Sequence, residues 1–178
     1  METGLVSDRS CGPCRVCCTD LRIDQPELQK PAGETCRHCT VEGGCSIYAT
    51  RPGACRTWFC GWRRFAWVSE SLQPGTSKIL VDFVRGENPP GFAGDTGIGF
   101  TILAPAGLTH TGLAAPGLAE SVARSIAASH ATFLVVPAGD GQSNLCLFLN
   151  ELLAPMVRRG DACALLGEIA ALYATAPQ

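Results

Sequence analysis

Cys11-Gly12-Pro13-Cys14-Arg15-Val16-Cys17-Cys18 places four cysteines in eight residues, in the spacing C-x2-C-x2-C-C. A two-residue gap lets a tight turn aim both sulfurs at one ion while backbone N–H groups point toward the thiolates, and Gly12-Pro13 suits such a knuckle. Nine of the 11 cysteines lie between Cys11 and Cys60, a density that marks a scaffold held by its sulfurs. The opening Met1-Glu2-Thr3-Gly4-Leu5-Val6-Ser7-Asp8 has no basic and no apolar signal region, so a cytoplasmic, reducing setting is expected. There, metal-bound thiolates are the stronger explanation and disulfides the weaker one.

Adjacent Cys17 and Cys18 add a constraint. Neighbouring side chains diverge on a strand and do not face each other on a helix, so one mononuclear site does not easily take both. The pair is expected to serve two neighbouring sites, or one sulfur to bridge two metals. A tetrahedral all-thiolate site uses four sulfurs, and two such sites would leave one of the nine spare.

Cys11-x2-Cys14-x2-Cys17-Cys18, followed by Cys36, Gly44-Cys45-Ser46-Ile47-Tyr48, Arg51-Pro52 and Cys55-Arg56, resembles the YkgJ-type cysteine-cluster family, described as a zinc- or iron-chelating domain. The similarity covers residues 8–65. The resemblance implies metal chelation and no particular reaction. It implies a ligand set of Cys11, Cys14, Cys17, Cys18, Cys36, Cys45, Cys55 and Cys60, with Cys39 standing where such sequences carry an apolar residue. Cys36-Arg37-His38-Cys39 has ligand spacing of its own, but His38 and Cys39 are left outside the set. Cys146 and Cys163 sit in apolar segments and are expected as small core residues.

Three functional classes follow. The first is a lobe held by two zinc ions: about 60 residues with few aliphatic side chains bury too little surface to fold alone, and structural zinc contributes on the order of 10 kcal/mol. The second is an iron–sulfur cluster with a redox or enzymatic role. The third is metal handling through exchangeable sites. Arg51 and Arg56 are expected to donate hydrogen bonds near the thiolates.

Lys and Arg number 14 against 16 for Asp and Glu, a formal charge of −2, so no basic field invites nucleic acid or an anionic membrane. No apolar run approaches the roughly 18 residues of a membrane span. Metal ions are the expected partners. Trp58, Phe59, Trp62, Phe65 and Trp67 are expected to pack rather than to stack on bases, with positions 58, 62 and 65 at helical spacing.

The expected fold class is α+β: an irregular cysteine-rich metal-binding lobe over 1–74, then a small, mainly antiparallel sheet with two helices over 75–178. The boundary falls at Gln73-Pro74-Gly75-Thr76, a turn signal. Strands are predicted at Lys78–Val84, Ile98–Leu103, Thr132–Val136 and Leu145–Leu149, the last two as a hairpin around Gly139-Asp140-Gly141. A helix is predicted from Pro116 through Ala127, and a final one capped by Asp161 with Leu165, Leu166, Ile169 and Leu172 as its apolar stripe. Gly97-x-Gly99 lacks the third glycine of a dinucleotide fingerprint and reads as a turn. His110 and His130 stand apart from any nucleophile motif and read as capping or solvent-facing residues.

Overall fold

A computed structural model describes residues 4–86, 88–92, 94, 96–103, 115, 117–137 and 143–176. The class is α+β, with seven α-helices, a two-stranded sheet and a four-stranded sheet among those residues.

The cysteine-rich stretch is built from short pieces. Helix α1 (Val16–Thr19) is followed by a hairpin of β1 (Ile23–Gln25) and β2 (Leu28–Lys30), then by α2 (Gly53–Thr57), α3 (Gly61–Arg64) and α4 (Pro74–Ser77). The aromatic run is therefore not one helix: extended backbone at Trp58 and Cys60 separates α2 from α3. The expected turn at 73–76 is the start of α4, where Gln73 accepts a hydrogen bond from the Thr76 amide and Pro74 takes the first helical position.

The second stretch carries β3 (Ile79–Arg85), β4 (Thr96–Ile102), α5 (Leu118–Ala127), β5 (Thr132–Val136), β6 (Leu145–Phe148), α6 (Asn150–Arg159) and α7 (Ala162–Thr175). The sheet order is β3-β4-β5-β6. β3 and β4 pair antiparallel from Ile79–Ile102 to Arg85–Thr96, and β5 and β6 pair antiparallel as the expected hairpin. The sheet is nevertheless mixed, because β4 and β5 run parallel. Parallel neighbours need a crossover, and α5 lies between them in the chain.

Three helices, not two, belong to this half. The unexpected one is α6, whose Pro155 reads as a breaker. It forms because Leu149 and Leu153 are fully buried, while Asn150 satisfies the loop before β5. Asn150 Oδ1 accepts from the Thr132 amide at 2.8 Å and Nδ2 donates to the His130 carbonyl at 2.8 Å. The final helix starts as expected, with the Asp161 carboxylate accepting from the Ala164 amide at 3.0 Å, and it buries Leu165, Ile169 and Tyr173.

The helix predicted from Pro116 begins at Leu118, behind Gly117 at φ +83°. A Cβ at Gly117 would strike the side chains of Ser69 and Ser71, so glycine answers both the backbone and the space. Gly97 and Gly99 are not a turn but lie inside β4. A Cβ at Gly99 would meet Val84 Cγ2 at 2.5 Å, and one at Gly97 the Phe133 ring at 2.5 Å. Pro116, His110 and Gly139-Asp140-Gly141 lie outside the described residues.

One face of the sheet, with Val81, Phe100 and Leu134 on one rung, forms the main core with the helices. That core also takes Val16, Cys60 and Trp62 from the cysteine-rich stretch. The aromatic residues supply the contact: Phe65 stacks on Trp67 at 5.3 Å and meets Phe83 edge-on at 5.4 Å. Arg9, only 7% exposed, ties the same segment down by donating to the carbonyls of Trp62, Phe65 and Val68. Among the described residues no helix is long and apolar enough to cross a membrane.

Candidate metal centre

The eight cysteines of the motif, drawn from positions 11 to 60, all line one cavity of about 340 Å³. The knuckle opens it: the Cys14 amide donates to the Cys11 carbonyl at 2.9 Å, and Gly12 adopts φ +50°. Gly75 packs directly on this turn, since a Cβ there would sit 3.3 Å from the Cys14 Cα. Cys36 is brought across by its amide, which donates to the Cys18 carbonyl at 2.7 Å. Cys55 is carried by α2, and Cys60 sits at the N-terminal end of α3.

Cys17 and Cys18 do not diverge as expected. Helix α1 holds their sulfurs 4.0 Å apart on the wall of the same cavity. Two thiolates sharing a tetrahedral ion at about 2.3 Å each are separated by about 3.8 Å. The pair is thus close to ligating distance.

The sulfurs act on one another across the cavity: Cys60 and Cys17 each feel Cys11 and Cys14, Cys55 feels Cys18, Cys36 and Cys45, and Cys11 feels both Cys14 and Cys18. Burial pushes the Cys60 thiol up to about 11 and also raises Cys11 and Cys55. The hydrogen bond between neighbouring sulfurs holds Cys17 below the ordinary thiol range and pushes Cys18 above it.

All eleven cysteines are described, and none is in a disulfide. Among the described residues, no three His, Cys, Asp or Glu side chains are drawn into a ready ligating array. The sulfurs face one cavity without closing on one point. Thiolates repel one another, and a bound cation offsets that repulsion.

Cations stand close by. Arg15, Arg22, Arg51 and Arg63 line the cavity, Arg22 paired with Asp24 at 3.4 Å. Arg51 Nε donates to the Cys55 carbonyl at 3.0 Å, and its guanidinium lies 3.8 Å above the Tyr48 ring. Arg56 is exposed and does not line the cavity. Arg63 acts on the Cys11 thiol, and its buried Nε has no hydrogen-bond partner. A buried N–H left without an acceptor beside sulfurs fits a centre that becomes anionic.

Lys30 was not expected here. It is 5% exposed, and its ammonium donates to the carbonyls of Thr19, Pro31 and Glu34 while lying near Cys18. Its place follows from alternation in β2, where Leu28 and Lys30 share the buried face.

Cys39 does not line the cavity. Its backbone pairs with that of Cys45 in an isolated antiparallel β-bridge, and its thiol donates to the Thr40 carbonyl at 3.8 Å. His38 does line the cavity, with Nε2 accepting from Arg37 Nε at 3.2 Å. Cys146 and Cys163 are both exposed, not core residues: β6 is the outer strand of the sheet, and Cys163 falls on the outer side of α7. His130 is half-buried, its ring 6.0 Å from that of Trp67.

No family model, curated protein or solved structure matches this chain.

Proposed function

We propose that the chain is a metal-binding protein of a reducing compartment such as the cytoplasm, holding about two zinc ions on its eight clustered thiolates in a structural or metal-handling role. The observation that carries this reading is the convergence of Cys11, Cys14, Cys17, Cys18, Cys36, Cys45, Cys55 and Cys60 on a single cavity, with Cys39 left off its wall. Eight thiolates suffice for two four-sulfur sites, or for a pair of ions sharing a bridging sulfur. Around two divalent ions they leave four negative charges; Arg15, Arg51 and Arg63 on the wall and Lys30 near Cys18 are placed to offset them, while Arg22 on the same wall is paired with Asp24. The YkgJ-type resemblance points the same way and rests on the motif residues alone.

Clustered thiolates ligate an iron–sulfur cluster as naturally as zinc, and that is the second reading. Metal and acid-labile sulfide measured on protein purified without oxygen and without added metal separate the two. The expected result is colourless protein with about two zinc ions per chain and no sulfide. Visible charge-transfer absorbance with sulfide moves the assignment to the cluster. Protein with neither, which stays folded in chelator, overturns both.

A further inference from the structure

A second cavity, of about 250 Å³, opens on the face of the sheet turned away from the helices. One rung of that face runs Leu80–Thr101–Val135–Cys146, and Asp82 follows on the same side of β3. Gly99 floors it opposite Asp82. Leu21 and Leu80 line this cavity and the cysteine cavity alike, so the two are separated by a single layer of side chains.

The polar group that stands out is Asp82. Its carboxylate accepts from Trp58 Nε1 at 3.1 Å. No ion pair among the described residues includes it. The nearest cations are engaged elsewhere: Arg64 donates to the carbonyls of Phe59 and Thr57, and Arg85 lies at the exposed end of β3. Burial keeps this carboxyl above the ordinary carboxylate range. A half-buried carboxylate whose donors, the Trp58 indole and the Phe83 amide, are both neutral, in a cavity walled largely by apolar side chains beside Thr101 and Asn144, lacks a direct ion-pair partner, and a cation that brings its own apolar surface suits both.

We propose that this second cavity binds a small organic cation, an ammonium group on an apolar body, with the charge on Asp82 and the body against Leu21, Leu80 and Val135. The inference does not rest on the metal reading, since none of the eight clustered cysteines lines this cavity.

Cys146 lines the cavity and is exposed, which makes it a reporter, and the exposed Cys163 lies outside it as an internal reference. The test follows alkylation of each thiol in the intact protein by peptide-resolved mass spectrometry, with 2-phenylethylamine as probe and 2-phenylethanol as its neutral counterpart. Saturable slowing of Cys146 by about threefold or more with the amine is expected, the slowing given by one plus ligand concentration over Kd, with Cys163 unchanged. The alcohol should slow it little. Asp82→Asn, which keeps an acceptor for Trp58, should abolish the amine's effect. Equal slowing by amine and alcohol, slowing retained in Asp82→Asn, or no slowing up to solubility overturns the proposal. The comparison of amine with alcohol in the unaltered chain decides even if the variant folds poorly.

Discussion

The sulfurs of Cys17 and Cys18 lie 4.0 Å apart, brought onto one wall by a helix of a single turn. Adjacent residues on a long regular helix point in different directions, but α1 follows a knuckle and ends at once, so the side chains are free to converge. The pair joins the sulfurs of the knuckle to the wall that all eight thiols share.

Replacing either member should therefore remove metal selectively. Cys17→Ser and Cys18→Ser should each lower zinc from about two ions per chain toward one and lower the unfolding temperature, as a four-sulfur site loses a ligand. Cys163→Ser should leave both unchanged. Elemental analysis beside thermal unfolding checks this, and full metal content in both junction variants would count against the assignment.

Arg9 holds three carbonyls of the segment that joins the cysteine-rich stretch to the sheet. Arg9→Met leaves those acceptors without their donor and should cost about 2–4 kcal/mol, read as a lower urea midpoint. Arg9→Lys should recover part of the loss, because an ammonium lacks the planar fork that reaches carbonyls on two sides.

Gly99→Ala should destabilise by about 1–3 kcal/mol, since the new methyl meets Val84 and Val135 side chains on the sheet's far face. Backbone strain is not the cause, as Gly99 has ordinary strand geometry. Urea denaturation of the variant measures the cost, and a neutral result would show that the two valines move aside freely.

Asp82 makes stability depend on pH. Burial raises its folded-state pKa, so the folded chain keeps a proton that the unfolded chain has already released. Stability falls as pH climbs from the ordinary carboxylate range to the raised value, and the loss persists above it. Asp82→Asn should be more stable than the parent at neutral pH, with the difference vanishing in acid below the ordinary range. Urea midpoints at the two pH values test the sign, and a less stable variant at neutral pH would contradict it.

Much of the fold was legible because its signals are local. Strands β3 to β5 follow runs rich in β-branched residues, β6 follows the apolar run Leu145–Phe148, and α7 announces itself through Asp161 and its apolar stripe. The parallel pairing of β4 with β5 was not legible, because register between distant strands is set by helices packing on the sheet rather than by either strand. Helix α6 was hidden by Pro155, whose local penalty is outweighed by burial of Leu149 and Leu153. At the candidate site, the motif separates the eight cysteines of the cavity wall from Cys39, whereas Lys30 and Asp82 escaped notice. Each is a lone charged residue in a strand, and what buries it comes from another part of the chain. The exposure of Cys146 and Cys163 shows the converse, as apolar neighbours in sequence do not ensure an interior position.

β3 is an outer strand of the sheet, and the cysteine-rich stretch lies against it, so closely that a Cβ on Gly61 would sit 2.7 Å from Val81 Cγ1. Loosening that stretch would uncover Val81 and its apolar neighbours on the face of a seven-residue strand that already stands at the sheet's edge, where chains can join into aggregates. Whatever holds the sulfurs together would thereby also keep that apolar face covered.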